Sequence, residues 1–464
     1  MRKVALTVGL CLAATLPTAW ASSPGPTQWV RTYEGPAGAA EVAGLAVSPD
    51  SRRVFVTGTT FGPANSLDIR TVAYTSDGST KLWATRFNGG FHLNDVATDI
   101  RTSPDGSAVF VTGYGYTSLA TTDFVTVAYD AGSGAELWSR RFGSISEYDE
   151  AHTLSVDQDG SRLFVSGVTW DVNGTDVRTI AYDAASGSRL WSRRYDGPAH
   201  GEDLASAAAV ASDGSVLFVT GTSAGATTST NARTIAYDAA TGSLLWTRRF
   251  DGESDEDRGE AVVASPDGSA VFVSISSKTS ASHFDYVTRA YDAATGSRLW
   301  TARYNGPGNS VDQPRAIAIA PGGSSVFVTG RSLKSGGVNY DYATVAYDAQ
   351  TGSSLWTKRY NGTYDGVDEA VDVDVSPGGS TVYVTGTSVG IVQLASTYED
   401  IATPAYDATT GQRLGVRRYH SKVCDFRELG RGLEVSPDGT KVFVAGLRHC
   451  PEANTAYVTI GYGA

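Results

Sequence analysis

The sequence predicts an all-β fold: an eight-bladed β-propeller of four-stranded antiparallel blades, the last blade closed by an N-terminal strand. Three observations carry that expectation. A tyrosine recurs at 74, 129, 182, 237, 291, 347, 406 and 462, with gaps of 53 to 59 residues. Short β-branched and aromatic runs alternate with turn residues and show no helical period. Strand-like segments near the two ends of the chain make up one repeat between them.

Each element follows from its residues. Three positions before every recurring tyrosine stands a threonine, from Thr71 to Thr459, so the repeat keeps its register in all eight copies. In the copy around residue 327, segments 315–320 (RAIAIA), 325–330 (SVFVTG), 342–348 (YATVAYD) and 354–360 (SLWTKRY) read as strands, here A to D. The A-to-B link is S-P-D-G at 103–106, 265–268 and 436–439, where Pro presets one backbone angle and Gly takes a positive one. The C-to-D link is AYDAATG at 290–296, with Asp292 placed to bond back to the turn and Gly296 to supply the positive φ. One such sheet cannot bury both faces alone, and radial packing of similar sheets solves this.

Strand D carries a Trp and an aromatic four residues on, as in Trp191 with Tyr195 and Trp246 with Phe250, which reads as packing between blades. Gly415 replaces the Trp of the seventh unit and predicts the loosest blade there. The eighth unit is split: its strands A to C lie within about 430–464, and residues 27–34 supply strand D. Joining both ends in one blade leaves no open first or last blade. The expected organisation is a leader over 1–21 and a single propeller domain over 22–464.

The leader expectation rests on the charged start MRK, an apolar run too short to span a bilayer, and Ala19-Trp20-Ala21 as a cleavage signal. It implies an exported protein, periplasmic or extracellular, and no later segment reads as a membrane span. Losing Arg2 and Lys3 with the leader takes the net charge from -12 to -14. So acidic a chain gives no electrostatic reason to hold nucleic acid. Cys424 and Cys450 flank the hairpin turning at residues 437–439 and are expected to form a disulfide, with two free thiols as the alternative. No C-x-x-C spacing supports thiol redox chemistry or bound zinc.

The pattern A-Y-D-x-x-T-G-x-x-L-W at 236–246, 290–300 and 346–356 resembles the tryptophan-docking motif of PQQ-like eight-bladed propellers; it is looser at 128–138 and loses its Trp at 405–415. The resemblance implies one of two functions. Quinoprotein dehydrogenases of this kind hold pyrroloquinoline quinone (PQQ) and Ca²⁺ over the propeller axis, use a catalytic aspartate and commonly carry a disulfide of adjacent cysteines. Scaffolds of the outer-membrane assembly-factor type bind protein partners. This chain has no adjacent cysteines and almost no residues beyond its blades, and it lacks the lipid-attachment cysteine of the anchored scaffolds. The expectation is a monomeric, non-enzymatic scaffold binding a protein, glycan or small ligand through its loop face; the alternatives are a PQQ-dependent dehydrogenase and a calcium-binding structural propeller.

Recurring charges are explained by architecture, so departures mark candidate sites. Twelve residues after each strand-D Trp, or Gly415, stand Glu41, Asp95, Glu150, Asp203, Arg258, Asp312, Asp368 and Arg427. Six before the recurring Tyr stand Asp68, Asp123, Asp176, Asp285, Asp341 and Asp400. Both sets are expected to bind loop amides or the strand-D arginines, with a cation ring as the sharper alternative. The departures are Asp99 and Arg101 in the second unit, Asp372 and Asp374 in the seventh, and Arg431 and Glu434 in the eighth, where other copies carry aliphatic residues. On innermost strands these six would line the channel as solvated walls or form a ligand-binding patch. No catalytic or metal residue is assigned: the six histidines show no ligand spacing and no G-x-S-x-G elbow exists.

Overall fold

The computed structural model describes residues 25–464 apart from 36–39, 63–65, 119–120, 144–147, 172–173, 226–228, 255, 281–282, 394–395, 422–426 and 451–454. The expected leader and Cys424 lie outside the described residues. Among the described residues there are 32 strands and no helix, hence none long and apolar enough to cross a membrane. The strands form eight four-stranded antiparallel blades, at 40–87, 95–142, 148–195, 203–250, 257–304, 312–360, 368–419 and 427–463, the last completed by Thr27–Tyr33. That N-terminal strand pairs antiparallel with Thr455–Gly463, from Thr27 opposite Tyr462 to Tyr33 opposite Tyr457. Single parallel bridges, Thr122 to Tyr148 and Glu399 to Arg427, also stitch blade 2 to 3 and blade 7 to 8.

The repeated residues hold the blades to one another. Each strand-D Trp lies between a Phe of its own blade and the recurring Tyr of the next: Trp246 is 5.8 Å from Phe218 and 6.0 Å from Tyr291. Its Nε1–H donates to the C-to-D turn of that next blade, as Trp246 does to Ala293 O at 3.0 Å. Its ring lies flat against the turn glycine; a Cβ on Gly296 would sit 2.5 Å from Trp246 Cδ2. Glycine is therefore required twice over, for its φ of 66° and for the ring's approach. Each buried Trp contributes about 1.5–3 kcal/mol by area, with more from the ring pairs. The recurring threonines bond across strands B and C, for example Thr57 Oγ1 to Thr71 Oγ1 at 2.9 Å.

The topology gives Gly415 a physical reason. A Trp there would dock on the C-to-D turn of blade 8, but strands C and D of that blade come from opposite ends of the chain and no such turn joins them. Arg417 instead donates to Gly25 O at 2.7 Å, as Arg140 and Arg193 donate to Gly187 and Gly242 at ordinary boundaries.

Candidate functional site

Every innermost strand carries a β-bulge in its first half, as between Ala97 and Asp99, Ala370 and Asp372, and Gly430 and Gly432. A bulge leaves one residue unpaired and re-aims the side chains beyond it. Arg431 is that extra residue in blade 8 and is exposed, while Asp99 and Asp372 directly follow the bulge in blades 2 and 7. Arg101 and Asp374 lie two residues beyond Asp99 and Asp372, and Glu434 three beyond Arg431, toward the face of the A-to-B turns. Arg101 also lines a cavity of about 350 Å³ with Pro104, Ser155 and Asp157.

The carboxylates among these six join blade to blade. An innermost strand pairs on one side only, so half its amides need other acceptors. Asp372 Oδ2 accepts from Leu433 N and Asp374 Oδ2 from Val435 N, both at 2.8 Å and both across the boundary from blade 7 to 8. Their Oδ1 atoms accept from Val373 N and Val375 N at 2.9 and 2.7 Å. Glu434 Oε2 accepts from Val47 N of blade 1 at 2.9 Å, and Asp99 Oδ2 from Leu154 N of blade 3 at 2.9 Å. Arg101 Nη1 binds Asp99 Oδ1 at 2.6 Å.

Burial raises these acids. Burial pushes Asp372 to about 7 and Asp374 to about 6, against the pull of the backbone amides. Burial, with Asp374 beside it, pushes Glu434 to about 8. The Arg101 guanidinium feels Asp99 first, then Glu434 and Asp372, so blades 2, 7 and 8 share one charge cluster. Blade 1, which lies between them, offers only Ala43, Gly44 and Ala46 at the corresponding positions. Arg431 exerts its influence elsewhere, on His449.

The two acidic sets are local. Asp68 pairs with Arg86 at 2.6 Å, Asp341 with Arg359 at 2.9 Å and Asp400 with Arg418 at 2.8 Å, and Asp176 pairs with Arg194. In the D-to-A set the twelve-residue spacing needs correction. It holds for Asp95, Asp203, Asp312 and Asp368, but elsewhere the loop length differs by one residue. The buried position is then Asp149 rather than Glu150, Asp257 rather than Arg258, Glu428 rather than Arg427 and Ala40 rather than Glu41. Each of the seven acids is at most 2% exposed, and most accept from a loop amide, as Asp312 does from Gly306 N at 2.6 Å.

Sequence reasoning missed the apolar surface. Among the described residues, the exposed large apolar side chains outside strand D are Phe91, Tyr148, Trp170, Leu204, Val338, Tyr364 and Val367. All belong to the D-to-A or B-to-C ends of their strands, so all lie on one face. Tyr148 and Trp170, opposite one another in blade 3, bring their rings to 5.6 Å at a tilt of 40°. Trp170 breaks the repeat, since it is not a strand-D Trp, and that was the available signal.

A quinone with its Ca²⁺ does not fit the axial donors. Ca²⁺ needs six to eight oxygens at one point. Both oxygens of Asp372, Asp374 and Asp99 are already held by amides or Arg101, and the acids of the D-to-A ring belong to seven different blades.

Comparison with known proteins agrees with the fold. The chain is 32% identical over 142 residues to quinohemoprotein alcohol dehydrogenase ADH IIB of Pseudomonas putida, a match covering 31% of this chain and only 19% of that enzyme. Sqt1 of Chaetomium thermophilum, solved bound to the N-terminus of the ribosomal protein L10, superposes with a TM-score of 0.60 at 13% identity, covering 93% of this chain and 98% of Sqt1. BamB of Moraxella catarrhalis superposes at 0.52 and 14% identity, covering 94% and 99%. A family model described as outer membrane protein assembly factor BamB matches residues 18–226 and 176–421, and with the docked tryptophans and eight closed blades in view, the chain belongs to that family.

Proposed function

We propose that this chain is an exported, non-enzymatic scaffold that binds a protein partner through the face carrying its D-to-A and B-to-C loops. The observation that carries the reading is the exposure of apolar side chains on that face, with the Tyr148–Trp170 ring pair as its anchor. The axial acids, by contrast, are engaged in joining blades, which leaves no free acid–base pair there. Sqt1 offers a precedent for a propeller of this shape holding a protein segment. In this reading residues 1–21 are removed on export, residues from 22 form one domain, Cys424 and Cys450 pair in the oxidising compartment, and the protein is a monomer.

The test is affinity capture from a periplasmic extract on the immobilised mature protein, beside a Tyr148→Ala/Trp170→Ala variant. A protein held by the wild type and lost at least tenfold by the variant is expected. Identical capture by both, or a co-purified glycan or small molecule in place of a protein, removes the reading. Turnover of an alcohol with dye reduction after adding PQQ and Ca²⁺ would restore the dehydrogenase alternative.

A further inference from the structure

The boundary from blade 7 to blade 8 is the one at which Gly415 replaces the docked Trp, and it departs from the repeat in two more places. In five of the D-to-A loops the residue after the strand-D aromatic is Asn88, Asp196, Asp251, Asn305 or Asn361; here it is His420. The acid that opens strand A is elsewhere an aspartate or, in blade 1, Ala40; here it is the longer Glu428. The two substitutions converge with Asp400 of blade 7. His420 Nδ1 is 3.0 Å from Asp400 Oδ1 and 3.6 Å from Glu428 Oε2, and the three ligand atoms lie within 4.8 Å of one another.

The second observation concerns Glu428 itself. It is 0% exposed, and its Oε2, the atom turned to His420, accepts no hydrogen bond. Ser421 N donates to Oε1, at 3.3 Å. The acids that open strand A in blades 4 to 7 also have one oxygen without a hydrogen bond, but each stands opposite a strand-B serine, Ser223, Ser277, Ser332 or Ser388; at that place blade 8 has Arg448, which binds Glu34. A carboxylate oxygen buried without a donor is costly unless a cation meets it. Asp400 is suited to share that cation, because Arg418 occupies its Oδ2 and leaves Oδ1 facing the histidine.

We propose that Asp400, His420 and Glu428 bind one divalent transition-metal ion of the Zn²⁺ type, which clamps blade 7 to blade 8 where the docked Trp is missing. Ligands about 2.1 Å from a tetrahedral ion stand about 3.4 Å apart, and the two separations measured at Nδ1 bracket that value. One nitrogen with two carboxylate oxygens suits a borderline ion better than Ca²⁺, which takes oxygen alone and more of it. His420 is partly exposed, which leaves the ion an approach from solvent. The cluster of Asp176, Asp196 and Asp203 differs in its donor set: its three ligand atoms are all carboxylate oxygens, although Asp203 Oδ1, like Glu428 Oε2, accepts no hydrogen bond.

Mature protein stripped with a chelator is titrated with Zn²⁺, and separately with Mn²⁺ and Ca²⁺, by calorimetry and by urea unfolding. One Zn²⁺ per chain is expected, with a raised unfolding midpoint. His420→Ala and Glu428→Gln should each weaken binding at least tenfold and abolish the midpoint shift, while Asp196→Asn binds as the wild type. His420→Ala alters only a partly exposed side chain, so it keeps the test decisive if Glu428→Gln does not fold. Stoichiometric binding that survives His420→Ala, tighter binding of Ca²⁺ than of Zn²⁺, or no binding of any of the three ions overturns the proposal.

Discussion

Gly296→Ala tests the docking of blade on blade at a single atom. Gly296 has a φ of 66°, and an added Cβ would lie 2.5 Å from Trp246 Cδ2 and 2.8 Å from Cε3. A left-handed backbone costs an L-residue about 1–2 kcal/mol. Overpacking a filled contact costs about 1–3 kcal/mol more, so a loss of about 2–5 kcal/mol is expected. Trp246→Ala alone should cost about 3–5 kcal/mol, since it also abandons the bond to Ala293 O. In that background the steric part of Gly296→Ala disappears and only the backbone part of about 1–2 kcal/mol remains. Equilibrium urea unfolding of the wild type, both single variants and the double variant, followed by circular dichroism, gives the coupling, expected at about 1–3 kcal/mol. A coupling below about 0.5 kcal/mol would mean the glycine serves only its own turn, and the account of blade packing would fail.

Glu434→Gln keeps an acceptor for Val47 N–H and removes the charge. Glu434 holds its proton in the folded protein up to about 8 but releases it when unfolded near its ordinary value, so the wild type loses stability as pH rises from about 4.5 through 8. The neighbours that set this balance are Asp374 and Asp372 of blade 7 and Arg101 of blade 2. The variant should be more stable than the wild type at pH 8 and nearly equal at pH 4.5; urea midpoints at the two pH values check it, and an unchanged difference rejects the account. Trp29 donates to Ser76 O at 3.0 Å and its ring lies against Gly78, so Trp29→Ala should cost about 3–5 kcal/mol. Limited proteolysis should then cut first within residues 25–33; first cuts elsewhere would show that the closing strand does not depend on its Trp.

Most of the fold was legible because the repeat writes the same contact seven times: Trp, turn glycine and next-blade Tyr recur at fixed spacing, and each has one physical task. Gly415 was visible as a departure, but its reason lies in topology, in a turn that blade 8 does not have. The acidic ring slipped by one residue at Asp149, Asp257 and Glu428 because a spacing counted from the Trp assumes loops of equal length. The charges at Asp99, Asp372, Asp374 and Glu434 were legible as departures from the repeat on strand A, whereas their acceptance of amides from the next blade depends on the strand-A bulge, which leaves no residue signature. Tyr148 and Trp170 could not be paired from sequence, since 21 residues and an unknown register separate them. The convergence of His420 with Asp400 and Glu428 likewise joins two blades, two strands and the loop between the blades.

Because Thr27 lies opposite Tyr462 and the pair runs on to Tyr33 opposite Tyr457, residues 25–27 and 462–464 lie together at one corner of blade 8. A tug between them would load the rungs one at a time, like a zipper opened from its tab, together with the bonds that tie the strand to its neighbours, Trp29 to Ser76 O of blade 1 and Arg417 of blade 7 to Gly25 O. A cargo joined directly at residue 25 or residue 464 would hang from that corner, beside the turn of residues 436–439 and away from the aromatic surface.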